Sequence, residues 1–113
     1  MARLVGLSVL TSLFMVASIV AANADQIDGS WCSPSGQSMT IEGSRVITPG
    51  GETVAGRYSR HRFDYVVPDG DAKAGDFISA DQIDDENIRV SVTPKSEQTP
   101  GPPEIWRRCE VVS

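Results

Sequence analysis

The sequence predicts an all-β domain: a small antiparallel meander barrel of about eight short strands, preceded by a signal-peptide helix, with an open β-sandwich as the alternative. Three observations predict it. Beyond Ala24 no segment carries a helical period; short apolar or alternating runs are separated by Gly, Pro, Asp and Asn at roughly 8–12-residue spacing. Several of these runs alternate cleanly enough to give a sheet one dry and one wet face. Finally, Cys32 and Cys109 stand near the two ends of this segment. If they bond, the first and last strands lie side by side, because disulfide Cα atoms sit about 4.4–6.8 Å apart. A meander whose ends touch is a barrel without exposed edges.

The elements follow in order. Gly29-Ser30-Trp31-Cys32 reads as the first strand, stopped by Ser33-Pro34-Ser35-Gly36. Ser38 to Glu42 places Met39 and Ile41 on one face, and Arg45 to Thr48 returns after Gly43-Ser44, a two-residue turn whose first position favours a positive φ. Pro49-Gly50-Gly51 makes the next turn. Thr53 to Tyr58 is a fourth strand, with Gly56 as a bulge within it. Arg62 to Val67 alternates, with Phe63, Tyr65 and Val67 on one face and Arg62 and Asp64 on the other. Pro68 to Gly75 is a loop. Asp76 to Ile83 and Ile88 to Thr93 form a second pair joined by Asp84-Asp85-Glu86-Asn87. Pro94 to Pro103 is an exposed, Pro-rich connection, Glu104 to Cys109 is the last strand, and Glu110 to Ser113 is a tail.

The N-terminus assigns the compartment. Met1-Ala2-Arg3 supplies a positive start, Leu4 to Val20 is uncharged, and Ala22-Asn23-Ala24 ends on the small-x-small pattern of a cleavage site. The apolar run is at the low edge of the about 17–25 residues that span a bilayer, which favours cleavage after Ala24 over a retained anchor. The expected product is one small domain, residues 25–113, periplasmic or secreted, with no stable membrane anchor. An even pair of cysteines in an oxidising compartment argues for a disulfide. It would close a loop of about 77 residues, worth at most roughly 4–5 kcal/mol by chain entropy. The formal net charge is −5 and becomes one unit more negative once Arg3 is removed. Such a domain repels a phosphate backbone, and no basic stripe is present, so nucleic acid is not an expected partner.

Gly29-Ser30-Trp31 resembles the Gly-x-Trp of the lipocalin-like (calycin) barrels. That resemblance implies a Trp plugging one barrel end, with an Arg of the last strand, Arg107 or Arg108, packed across it. The segments Ile27 to Cys32 and Ile105 to Cys109 also resemble those of small uncharacterised exported alphaproteobacterial proteins, a resemblance that implies no activity.

Candidate sites divide between chemistry and packing. His61, the single histidine, lies in the basic run Arg57 to Arg62 and is a candidate acid–base group. Counting by twos places it on the Phe63 and Tyr65 face, which favours a half-buried structural role. Arg57, Arg60 and Arg62 can bind an anion or pair with carboxylates such as Asp64, with Arg60 and Arg62 sharing a face and Arg57 opposite unless a turn intervenes. Asp69, Asp71 and Asp76, or Asp81, Asp84, Asp85 and Glu86, supply oxygens of the kind calcium takes, but neither group matches a calcium-loop signature. Two thiols and one histidine far apart in sequence make no zinc pattern. No nucleophile motif is present, and no cofactor is implied. The candidate binding surface is Trp31, Arg60, His61, Arg62, Trp106 and Arg107. The expected function is a non-enzymatic binding or structural module for a protein or a small ligand. Alternatives are a protease or lysozyme inhibitor acting through the Pro94–Pro103 loop, and a small enzyme using His61. A cavity reached past Trp31 or Trp106 would favour ligand binding, although barrels of this size are usually filled by their own side chains.

Overall fold

The computed structural model describes residues 26–110; the expected signal peptide, Asp25 and the end of the tail lie outside the described residues. These residues form an all-β chain of nine strands: β1 (Gly29–Cys32), β2 (Ser38–Glu42), β3 (Arg45–Ile47), β4 (Thr53–Ala55), β5 (Arg57–Ser59), β6 (Arg62–Val66), β7 (Phe77–Asp84), β8 (Asn87–Thr93) and β9 (Glu104–Arg108). They make one antiparallel sheet in the order β4-β3-β2-β1-β9-β8-β7-β6-β5, so every neighbour is also a chain neighbour except β1 and β9. The first and last strands pair, with Trp31 opposite Arg108 and Cys32 opposite Arg107. The Cys32–Cys109 disulfide spans that seam, its Cα atoms 5.1 Å apart. Because Ser30 and Cys32 alternate with the wholly buried Trp31, the bridge lies on the outer face of the sheet.

The remaining edges, β4 and β5, are consecutive in the chain and separated by Gly56 alone. The sequence reads this stretch as one strand with a bulge; the structure bends it into two, which raises the count from about eight to nine. The first half pairs with β3 and the second with β6, so the stretch crosses from one edge of the curled sheet to the other and nearly closes it. Gly56 is required by contact distance. A Cβ there would lie 2.4 Å from the Asp64 carbonyl oxygen and 2.6 Å from the Phe63 ring. Its N–H donates to the Ser44 carbonyl at 2.9 Å, tying the bend to the β2–β3 turn.

The hairpins follow the alternation. Gly43 opens the β2–β3 turn with φ 59°, as a two-residue loop wants. The β7–β8 turn is tighter than the sequence suggests. Asp84 pairs with Asn87, leaving only Asp85-Glu86 as the loop. The Asp84 Oδ1 accepts from the Glu86 N–H and the Asn87 amide, both at 2.9 Å. These bonds hold the Asp84 carboxyl below its usual pKa, the Glu86 N–H being the main cause. This acidic run is therefore turn architecture, and no group of His, Cys, Asp and Glu among the described residues is arranged to hold a metal ion.

The inward residues of these strands form one core, with Trp31, Phe63, Ile27, Ile41, Ile88 and Val46 the largest wholly buried side chains. Full burial of such a side chain contributes about 1.5–3 kcal/mol. One outward position departs from the pattern: Asp64 is 5% exposed. Arg57 lies opposite it in the β5–β6 register, and Ser59 lies opposite Arg62, so a turn at Arg60-His61 intervenes. Arg57 and Arg62 therefore share the outer face and cover Asp64, each with a nitrogen 3.2 Å from a carboxylate oxygen. Arg62 also reaches the Asp81 carboxylate at 2.6 Å and the Ser79 hydroxyl at 2.8 Å. The sequence separates Arg57 from Arg62 unless a turn intervenes; the turn is present, and Arg57 joins Arg62 over Asp64.

Candidate binding cavity

The two ends of the barrel differ. At one end the chain before β1 folds across the opening. Trp31 Nε1 donates to the Ile27 carbonyl at 2.8 Å, and the Ile27 N–H donates to the Arg60 carbonyl at 2.8 Å. Arg108 lies over Trp31, its guanidinium carbon 4.3 Å from a ring centroid of the indole. Among the described residues the same guanidinium donates to the carbonyls of Asp85 at 2.6 Å, Asp28 at 2.9 Å and Gln26 at 2.8 Å. A flat, always-charged fork suits this task, joining the entry segment and the β7–β8 turn over one indole. Gly29 is small for the same reason. It has φ 127°, and a Cβ there would lie 2.5 Å from Arg108 Nη1. Asp28 completes the closure, accepting from the Gly43 N–H at 2.8 Å and from the Tyr58 hydroxyl. That carboxylate, with some desolvation, pushes the Tyr58 phenol up to about 12.

At the other end the inward residues stop short of filling the barrel and leave a cavity of about 320 Å³. Its wall is apolar, with Met39, Tyr65, Ile78, Val90 and Trp106, and its rim is polar, with Gln37, Thr48, Asp71, Lys73 and Asp76. The rim is pre-formed by its own hydrogen bonds. In the β3–β4 loop, the Thr48 N–H donates to the Glu52 carbonyl at 2.8 Å and its hydroxyl donates to Glu52 Oε1 at 3.0 Å. In the β6–β7 loop, the Lys73 N–H donates to Asp71 Oδ1 at 2.9 Å and the Val67 N–H to the Asp76 carbonyl at 2.9 Å. Asp76 Oδ1 accepts from the Lys95 N–H at 3.0 Å, anchoring the start of the Pro-rich loop beside the mouth.

The aromatic residues of the wall are differently satisfied. Trp106 is 5% exposed and donates from Nε1 to Glu104 Oε1 at 2.9 Å. Tyr65 is also 5% exposed, but its hydroxyl makes no hydrogen bond among the described residues. Burial, reinforced by the Asp71 and Glu52 carboxylates nearby, pushes that phenol up to about 12. It remains a neutral donor over the physiological range.

The sequence-predicted surface is scattered by the fold. Trp31 is wholly buried beneath Arg108 and presents no surface, which corrects that expectation. Trp106 lines the cavity. Arg107 is exposed on the outer face, opposite Cys32 and Asn87. Arg60 and His61 sit at the β5–β6 turn of the closed end, and Arg62 lies on the outside over Asp64. His61 is exposed rather than half-buried, because the turn ends the alternation before it reaches the ring. Its Nδ1 is 2.9 Å from Gln82 Oε1. Gln82 Nε2 donates to the Gln26 and Asp84 carbonyls, which fixes the amide and makes His61 Nδ1 the donor. A shallow recess beside it is lined by Ile83, Asp84 and Asp85. Sequence reasoning missed Tyr65 as a site residue, reading it as core; no signal in the strand pattern separates an inward tyrosine that is packed from one that faces a void.

No protein-family model matches the chain, and no curated protein or solved structure matches it either.

Proposed function

We propose that the chain is an exported binding module, periplasmic or secreted, that takes a small, mainly apolar molecule into the open end of its barrel. The observation that carries this reading is the cavity itself: one end of the barrel is sealed by Trp31 and Arg108, and the other holds an apolar chamber with a polar, pre-bonded rim. Its volume falls at the lower end of the roughly 300–1,000 Å³ of small-molecule sites. The lipocalin-like reading of Gly29-Ser30-Trp31 supports the same use of the fold. The disulfide suits an oxidising compartment. The test is titration with N-phenyl-1-naphthylamine, a neutral apolar fluorophore, followed by its emission. Saturable binding is expected, and it should be lost in Val92→Trp, which fills the mouth from a half-exposed lining position without entering the core. Binding that survives this substitution, or no binding to the native protein, would count against the cavity as the site.

A second reading, inhibition of a protease or lysozyme, is favoured by the anchoring of the Pro94–Pro103 loop. The Glu97 N–H donates to the Pro94 carbonyl at 2.9 Å and the Gly101 N–H returns to the Val92 carbonyl at 2.8 Å, while residues 95–100 are exposed. A loop tied at both ends loses less entropy on docking. The small-enzyme alternative rests on His61, whose ring meets the Gln82 amide and, among the described residues, no carboxylate.

A further inference from the structure

The cavity's polar groups are not evenly distributed. Asp71, Asp76 and Lys73 stand on the rim. Glu52 stands beside Asp71. A single point next to Gly50, where a Cβ would be, is 2.9 Å from Asp71 Oδ2 and 3.0 Å from Glu52 Oε1. Two carboxylates thus converge over a residue with no side chain to separate them. Neither is within 4 Å of a basic group in any ion pair of the described residues that involves Lys73, the one cation of the lining. An acidic pair alone is ordinary surface. Here a second, independent feature lies in the same cavity: Tyr65, 5% exposed, lines it, and its hydroxyl has no hydrogen-bond partner among the described residues. Asp71 lines this cavity together with Tyr65, and Glu52 meets Asp71 beside Gly50, so the three groups border one chamber.

Resting on the reading of the cavity as a ligand site, we propose that its ligand is an organic ammonium: an apolar body seated against Trp106 and Ile78, with a protonated amine held by Asp71, Glu52 and the Tyr65 oxygen. An ammonium offers three donors, and the site presents acceptors on two carboxylates and a phenol. A divalent metal is a poorer fit, because no cluster of ligating side chains among the described residues is arranged for one.

Three compounds of one skeleton decide it by calorimetric titration of the purified protein: 3-phenylpropylammonium, 3-phenylpropanol and 3-phenylpropionate. The ammonium is expected to bind about tenfold or more tightly than the alcohol, with the carboxylate weakest, and to weaken as salt rises. In the Glu52→Gln, Asp71→Asn double variant that preference should shrink to about twofold. Both amides keep the oxygen that accepts from Thr48 or from the Lys73 N–H, so the rim loops retain their bonds. Equal binding of all three, or a preference that survives the double substitution, would overturn the ammonium assignment while leaving the cavity as a ligand site. Binding of none of them, together with no binding of the neutral fluorophore, would overturn both.

Discussion

The closed and open ends of the barrel are built from the same strands and the same inward–outward alternation, yet they use their inward polar atoms differently. At the closed end every donor of interest has an acceptor. The Trp31 indole, the Arg108 fork and the Tyr58 hydroxyl all terminate on carbonyls or on Asp28. At the open end Trp106 is satisfied by Glu104, but the Tyr65 hydroxyl makes no hydrogen bond among the described residues. A polar group without a protein partner costs about 1–3 kcal/mol where water is shut out; the open cavity admits water or a ligand to the Tyr65 hydroxyl, which is not among the fully buried unpartnered atoms. The contrast teaches that one end of the barrel is spent on stability and the other is left available for binding.

The largest expected effect comes from the element that serves both ends, the disulfide across the β1–β9 seam. Its sequence separation is 77. Replacing Cys32 and Cys109 by serine should remove up to roughly 4–5 kcal/mol, measured as the shift in urea unfolding. A loss well under 1 kcal/mol would mean that the strand pairing alone holds the seam. Trp31→Ala comes next, at about 3–5 kcal/mol by the same measurement, because a wholly buried indole leaves a void and strands Arg108 above it. Arg108→Met should cost about 2–3 kcal/mol through three orphaned carbonyls and a lost cation–π contact. Arg108→Lys should recover little of this, since a single ammonium cannot reach all three acceptors.

The open end should respond weakly. Tyr65→Phe is expected to change stability by no more than about 0.5 kcal/mol, because no hydrogen bond among the described residues is lost. A large loss would place that hydroxyl among the structural groups and erase the contrast between the ends. The two phenols give a pH test of the same comparison. Both Tyr58 and Tyr65 are raised to about 12, for different reasons, hydrogen bonding to Asp28 in one and burial in the other. A raised phenol means the folded state holds its proton more tightly than the unfolded state, whose tyrosines titrate near 10. The associated stability is complete below about pH 10, declines as pH rises, and is gone above about 12. The ultraviolet spectrum of phenolate should therefore show native titration displaced above that of the denatured chain. Each single Phe variant should remove one of the two displaced phenols.

Much of the architecture was legible in the strand pattern because period-two alternation is local. The first strand, the β2–β3 hairpin and the buried face of Phe63, Tyr65 and Val67 follow from residue order alone. The seam between β1 and β9 was legible through the cysteines, since a disulfide brings its two strands together. Departures arise where a local rule meets a long-range contact. Gly56 reads as a bulge, but its proximity to Phe63 and Asp64 makes it the corner that closes the sheet. His61 reads as inward until the β5–β6 register shows that the turn begins at Arg60. Asp64 reads as wet, but Arg57 from across the turn and Arg62 from its own strand cover it.

By itself the sequence determined an all-β chain, the alternation of its core, and a pair of cysteines placed to clasp its ends, because each depends on nearest neighbours or on a covalent bond. Only the tertiary structure decided which end is sealed and which is hollow. That outcome depends on how far side chains from separate strands reach into one shared volume. Arg108, Gly29 and the entry segment fill it at one end, and Tyr65, Trp106 and Met39 leave part of it unfilled at the other.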